Sequence, residues 1–329
     1  MRSVFTPFRR VGWALPVFFL AVGAPASDPY TEVDGEKKPL IQISRPAEST
    51  PEAQLQHADT LYQEGKLKNA RKAYGKLVKR WPRSPEAVKA QASYASILVS
   101  LGKLRKAFDS YQELVENYAG RFPYGEVLSQ QLRIAQQVAT QRRGKFLFFP
   151  GLKSPEKAIK MYAKIVKNGP RWDGAPEAQM MVGRIQEETK EYNEAIGSYM
   201  QAMIRYPDSP FAEEAAFGRI RCLAAVSDSN INDMEAAEEG WHAIGVFNAK
   251  YPNSRFQQDI EEMRHHLYRR LAHAVYKIGE FYDKSAKKPK AAIQEYEKLI
   301  KRFPNSEWTE EAKQSIHRLQ MELEGTSEK

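Results

Sequence analysis

The chain has 329 residues, of which 42% are hydrophobic and 28% are charged, and 50 Lys plus Arg against 41 Asp plus Glu give a formal charge of +9. This balance excludes an intrinsically disordered chain and is typical of a folded globular protein. The length fits about two compact domains or one elongated repeat array. The single cysteine, Cys222, excludes an internal disulfide framework and a zinc site built on several thiolates.

Residues 1–26 differ in composition from the rest of the chain. Three arginines without an acidic residue precede the apolar stretch 11–22, and Ala24-Pro25-Ala26 follows it. This order predicts a cleavable secretory signal peptide. An uncleaved anchor is the alternative, but Pro16 and a helical length of roughly 18 Å argue against it, since a hydrocarbon core is about 30 Å thick. We therefore expect an exported protein. After the signal peptide, residues 27–50 are rich in Pro, Ser, Glu and Lys, and we expect them to form a flexible lead-in.

A four-residue motif, aromatic-Pro-x-Ser, recurs along the rest of the chain. It begins at Trp81, Tyr206, Tyr251 and Phe303. Before three of these prolines, an alanine is followed by a tyrosine four residues later and by the proline eight residues after that; the pairs are Ala70 and Tyr74, Ala195 and Tyr199, and Ala292 and Tyr296. A small residue lets two helices approach, an aromatic residue fills the gap beneath the next unit, and proline ends the second helix. The serine after it can cap the next helix.

This pattern resembles the tetratricopeptide repeat, whose period is about 34 residues. The resemblance predicts an all-α fold, a right-handed α-solenoid of about six helix pairs over residues 51–323. The predicted units are 51–84, 85–120, 121–172, 173–209, 210–254 and 255–305, with a closing helix at 306–323 and a tail at 324–329.

Three units depart from the regular repeat. In unit 3, 23 residues separate Ala135 from Ala158, against 12 from Ala58 to Ala70, which predicts an insertion. Unit 5 contains a second insertion that covers the polar stretch 227–233. Unit 6 begins with a long predicted helix, over about residues 255–284.

The C-terminal units resemble a narrower family. Three segments are similar to the last repeats of BamD: Ile278-Gly-Glu-Phe-Tyr-Asp-Lys284, Ala291-Ala-Ile-Gln-Glu-Tyr296 and Arg302-Phe-Pro-Asn-Ser306. A fourth segment, Arg121-Phe-Pro-Tyr-Gly125 with Gln130-Gln131, is similar to its middle repeat. BamD is the repeat lipoprotein of the outer-membrane β-barrel assembly machine. The resemblance implies a periplasmic scaffold that docks a barrel-assembly protein and recognises unfolded outer-membrane chains. Residues 18–27 contain no cysteine to accept a lipid, so we do not expect direct lipid anchoring there.

The sequence gives no sign of catalytic chemistry. No G-x-G-x-x-G, Walker loop, H-E-x-x-H or G-x-S-x-G motif occurs, and Cys222 lies in an apolar helical stretch with no histidine beside it. His266 and His273 share a helix face, but two histidines are a weak sign of metal binding. We therefore predict no enzyme activity, no cofactor and no metal.

An unusual segment falls within the unit-3 insertion. Four apolar residues follow three cations; together the segment comprises Arg142, Arg143, Lys145, Phe146, Leu147, Phe148 and Phe149. Loops are normally polar. The segment therefore either folds back against the solenoid or contacts a partner or a membrane interface. We take it as a partner-binding hypothesis.

A second hypothesis concerns the inner surface of the solenoid, which the first helix of each unit lines and which usually grips a peptide or helix. The repeat register places six residues there: Asp59, Tyr62, Ser96, Val99, Arg184 and Glu187.

Lysine clusters such as Lys284, Lys287, Lys288 and Lys290 give three interpretations: a solvated helix face, an anionic envelope surface or an acidic protein partner. Export from the cytoplasm argues against a nucleic-acid partner. The leading hypothesis is a periplasmic scaffold, associated with the inner face of the outer membrane, for β-barrel assembly subunits or unfolded outer-membrane proteins. The alternative is a repeat protein that coordinates peptidoglycan synthesis with envelope constriction, although residues 27–50 lack the heptads of the coiled coil such proteins often carry. An exported helical hydrolase is a third hypothesis.

Overall fold

A computed structural model describes residues 30–33, 36–39, 46–140, 155–229 and 234–327. The predicted signal peptide lies outside these ranges. Within the predicted lead-in, strands β1 (Tyr30–Val33) and β2 (Glu36–Pro39) pair antiparallel, with Tyr30 opposite Pro39 and Val33 opposite Glu36. The sequence analysis did not predict this hairpin.

Thirteen α-helices follow in the described part of the chain. They are α1 (Pro51–Gln63), α2 (Leu67–Arg80), α3 (Pro85–Ser100), α4 (Leu104–Asn117), α5 (Tyr124–Thr140), α6 (Pro155–Asn168), α7 (Ala175–Glu188), α8 (Tyr192–Arg205), α9 (Ala212–Ser229), α10 (Glu235–Lys250), α11 (Gln257–Glu280), α12 (Pro289–Arg302) and α13 (Thr309–Ser327). A π-helical turn, Phe281–Ser285, continues α11.

Each helix packs against the next one along the chain, and α7, α9 and α11 also contact one another in that order. Six consecutive helix pairs with α13 as a closing helix are the architecture of an α-solenoid. The predicted all-α solenoid is therefore confirmed, with the β1–β2 hairpin as its small addition. Among the described helices, none combines the length and the apolar character needed to cross a membrane.

Local sequence signals set the helix ends. The Thr50 hydroxyl oxygen accepts a hydrogen bond from the Ala53 N–H (3.3 Å), and the Ser84 hydroxyl oxygen accepts one from the Ala87 N–H (3.2 Å). A proline follows each cap, where its missing N–H costs nothing. Gly65 and Gly102 turn the chain between paired helices with φ of +72° and +67°, a backbone region that favours glycine.

The repeated alanine and tyrosine positions form the core. Ala70, Ala195 and Ala292 are fully buried, and the tyrosine four residues after each is also buried. This burial accounts for their regular spacing. Cys222 lies fully buried on α9, and burial raises the pKa of its thiol to about 12. It is therefore a packing residue and not an accessible thiolate.

The structure changes one of the predicted departures from the repeat and contains another as predicted. The α9 helix continues to Ser229, so the first part of the predicted unit-5 insertion is the end of that helix. Ser227 is fully buried there, and its hydroxyl donates to the Ala224 carbonyl (2.8 Å). The long first helix of unit 6 is α11 with its π-helical turn.

Candidate protein-binding groove

A groove of about 980 Å³ crosses the first helices of units 4, 5 and 6. Helices α7, α9 and α11 supply almost all of its walls, and Tyr192 at the start of α8 completes them. The lining residues are Arg184, Glu187, Glu188, Tyr192, Phe217, Arg221, Ala224, Ala225, Asp228, Asp259, Glu262, Met263 and His266.

Two of the six predicted groove residues, Arg184 and Glu187, line this groove. The other four lie on the first helices of units 1 and 2, away from its lining. Asp59 and Tyr62 are on α1, where Tyr62 is 46% exposed; Ser96 is exposed and Val99 half-buried on α3. The structure thus divides the six residues between two regions of the array.

Glu187 joins three helices at the wall of the groove. The Arg221 Nε–H donates to Glu187 Oε1 (2.7 Å), a second Arg221 N–H donates to Oε2 (2.8 Å), and the Tyr199 hydroxyl donates to Oε2 (2.6 Å). The Arg221 guanidinium also lies 4.5 Å from the centre of the Phe217 ring. The hydrogen bonds to Glu187 raise the pKa of Arg221, and burial together with Glu187 raises the pKa of Tyr199. These contacts hold α7, α8 and α9 in a fixed arrangement.

The same arrangement of carboxylate, tyrosine and cation occurs in units 1 and 6. Asp59 accepts from the Tyr74 hydroxyl (2.5 Å) and from Lys89 Nζ (2.8 Å). Asp283 accepts from the Tyr296 hydroxyl (3.4 Å) and pairs with Arg318 of the closing helix. Sequence analysis singled out Asp59 and Glu187 only as groove positions and missed this role. The cation comes from the first helix of the next unit for Asp59 and Glu187 and from the closing helix for Asp283, so the arrangement links each unit to the element that follows it.

The groove is acidic although the whole chain is basic. Five carboxylates and two guanidinium groups line it, which gives a net charge of −3 with neutral histidine. Arg184 pairs with Glu214, and Arg221 pairs with Glu187. His266 Nε2 lies 2.8 Å from Asp228 Oδ1. In the described ranges, no group of three or more His, Cys, Asp or Glu side chains could hold a metal ion. The His273 ring packs against Trp308 in a tilted arrangement, with 4.8 Å between the ring centres.

The second predicted site, the basic-aromatic segment formed by Arg142, Arg143, Lys145, Phe146, Leu147, Phe148 and Phe149, lies outside the described residues. It belongs to the connection between α5 and α6. Partner binding by this segment stays a prediction.

Two family models match the chain. The model described as an outer membrane lipoprotein, YfiO, matches residues 152–312, and a tetratricopeptide-repeat model matches residues 55–122. No curated protein matches the sequence. The groove residues all fall within 152–312, the stretch that matches the outer membrane lipoprotein model.

Several solved structures are similar at low identity. A tetratricopeptide-repeat protein from Parabacteroides merdae is 15% identical, with 82% of this chain and 98% of that chain covered and a TM-score of 0.32. The C-terminal part of a tetratricopeptide-repeat protein from Cytophaga hutchinsonii is 15% identical, with 81% and 88% covered and a TM-score of 0.35. PilF of Pseudomonas aeruginosa is 12% identical, with 83% and 97% covered and a TM-score of 0.29. The helix pairs and the two family models together identify the chain as a tetratricopeptide-repeat protein that resembles the BamD-like outer membrane lipoproteins.

Proposed function

We propose that this protein is a non-enzymatic periplasmic scaffold that binds polypeptide partners during assembly of outer-membrane β-barrel proteins. One observation carries the proposal. The groove on α7, α9 and α11 lies wholly within the stretch that matches the outer membrane lipoprotein family. The first helices of a solenoid form its usual binding surface for protein segments.

The structure of the groove supports binding. The Glu187–Arg221 ion pair and the hydroxyl of Tyr199 fix its walls. Binding a partner therefore requires little further ordering of the groove side chains, which keeps the entropic cost of binding low. The half-buried side chains of Ala225 and Met263 add apolar surface, and buried Phe217, which stacks on Phe256 at 4.4 Å, supports the wall. A pre-organised groove with both polar and apolar surface suits a protein segment.

Two sequence predictions complete the proposal. The signal peptide at 1–26 would deliver the chain to the periplasm. The segment 142–149 would provide a second contact, since each of its four apolar side chains could contribute about 1.5–3 kcal/mol on burial before ordering costs.

Crosslinking in growing bacterial cells tests the proposal. We expect an affinity-tagged full chain to recover β-barrel assembly subunits or unfolded outer-membrane proteins, identified by mass spectrometry. We expect the double variant Phe148→Ser and Phe149→Ser to lower this recovery by about tenfold, because two large apolar contacts are lost.

The matched control is Ile204→Ser with Met321→Ser, which removes two apolar side chains that are 70% and 58% exposed on α8 and α13. We expect it to leave recovery unchanged. Recovery of wall-synthesis enzymes in place of assembly subunits would contradict the proposal and favour the peptidoglycan alternative. Unchanged recovery with a lower melting temperature for the phenylalanine variant would show that the segment folds back.

A further inference from the structure

We propose that the groove selects a cationic, extended segment of its partner, about five or six residues long, with basic and apolar side chains in alternation. This inference rests on the proposed function, in which the groove binds a polypeptide. It adds the chemistry of the segment that is bound.

The charges of the groove favour a cation. Asp259 and Glu262 are exposed on α11, and neither carboxylate forms an ion pair with a described residue. Glu262 accepts a hydrogen bond from the neutral Gln258 amide (3.3 Å). Both guanidinium groups of the lining are already paired, Arg184 with Glu214 and Arg221 with Glu187. An incoming lysine or arginine therefore meets carboxylates, whereas an incoming carboxylate meets cations that are already neutralised.

The rest of the chain strengthens this preference. The predicted signal peptide carries three arginines and no acidic residue, so the chain without it has a charge of +6, and a groove of −3 leaves +9 elsewhere. A cationic segment is repelled by most of the surface and attracted to the groove, which raises the rate of productive encounters. The field of the protein thus directs such a segment to the groove.

Apolar side chains between the acidic ones account for the second part of the inference. Ala225 of α9 and Met263 of α11 are half-buried lining residues, and Phe217 of α9 lies buried beneath the Arg221 guanidinium. In an extended segment, successive side chains point to opposite sides. Basic residues could then face the carboxylates of α11 while the alternate residues cover the apolar floor.

The size of the groove sets the length of the segment. The groove runs from α7 across α9 to α11, and packed helices lie about 8–10 Å apart, so it spans roughly 16–20 Å. An extended chain rises about 3.3 Å per residue, which gives five or six residues.

Fluorescence anisotropy with two synthetic peptides tests the inference on the full chain. One eight-residue peptide alternates lysine with leucine, and the other alternates glutamate with leucine. In 100 mM NaCl we expect the lysine peptide to bind at least about tenfold more tightly. In 1 M NaCl most of this advantage should disappear, because the Debye length falls from about 10 Å to about 3 Å.

A groove variant with two fewer negative charges locates the effect. Asp259→Asn with Glu262→Gln removes two carboxylates of the lining, and we expect it to weaken the lysine peptide by about tenfold. The control is Glu297→Gln with Glu310→Gln, which removes two exposed carboxylates from α12 and α13; Glu310, like Asp259, lies in the first turn of its helix. We expect the control to change the dissociation constant by less than about twofold.

Equal affinity for the two peptides, or an equal loss in groove and control variants, would overturn the inference. If the double groove variant melts earlier than the wild type, Glu262→Gln against Glu297→Gln gives the same comparison, with an expected loss of about threefold. Failure here leaves the crosslinking experiment above unaffected, since that experiment identifies the partners without reference to their charge.

Discussion

Replacing Gly183 by valine is expected to lower the free energy of unfolding by about 2–3 kcal/mol, because the space beside its α-carbon is filled by the ring of Tyr199. A β-carbon at Gly183 would lie 2.7 Å from Tyr199 Cδ1 and 2.8 Å from Cε1. A β-carbon at Gly218 would lie 2.6 Å from Tyr199 Cζ. The ring therefore sits between a glycine of α7 and a glycine of α9, and at 1% exposure it cannot move aside.

Gly197→Ala is the matched control for this substitution. Gly197 lies in the middle of α8, where an added β-carbon meets nothing within 4 Å. Alanine there should raise stability by about 0.5–1 kcal/mol through its better helix propensity. Urea denaturation of both variants measures the two effects, which should have opposite signs. A Gly183 variant as stable as the wild type would contradict the close packing of the ring.

Removing the hydroxyl of Tyr199 is the second large expected effect. We expect Tyr199→Phe to cost about 1.5–2 kcal/mol, because the hydroxyl donates to a charged group, the carboxylate of Glu187, at 2.6 Å. Tyr162 occupies the same repeat position in unit 3 and is fully buried, but its hydroxyl has no hydrogen-bond partner among the residues described. We therefore expect Tyr162→Phe to be neutral or slightly stabilising.

Thermal and urea denaturation of the two phenylalanine variants checks this pair. The substitutions remove the same atom from the same position of two repeats, so packing losses cancel in the comparison. Equal losses in both variants would show that the bond to Glu187 adds nothing to the stability of the array.

The helical array was predictable because its signals are local and repeated. Proline at the end of the second helix, serine at the next cap and the alanine–tyrosine spacing each act within one helix turn or at one helix end. The structure accordingly starts α3 after Ser84 and buries Tyr74, Tyr199 and Tyr296. Local rules repeated along a chain are enough to specify a solenoid.

The links between units could not be predicted in the same way. Asp59, Glu187 and Asp283 lie 15, 12 and 13 residues before the tyrosines that they contact. A carboxylate can reach the same hydroxyl from several positions near the end of a helix, so no fixed spacing marks it. An acidic residue near or just after the end of the first helix in units 1, 4 and 6 was the available signal.

The acidic groove was also hidden in the sequence. Glu187, Asp228 and Glu262 belong to three helices, and each by itself is an ordinary charge on a helix face. The net charge of +9 indicates the opposite sign. Only the packing of α7, α9 and α11 brings these carboxylates together.

Site-specific photo-crosslinking in living cells tests most directly whether this groove binds a partner polypeptide. A photoreactive amino acid replaces Glu262 in the groove or, as the comparison, Glu297 on α12; both positions are exposed. We predict protein adducts from position 262 at a level at least about tenfold above those from position 297, since the proposed partner segment lies in the groove and not on α12. Equal adducts from the two positions, or adducts from position 297 alone, would contradict the groove as the binding surface.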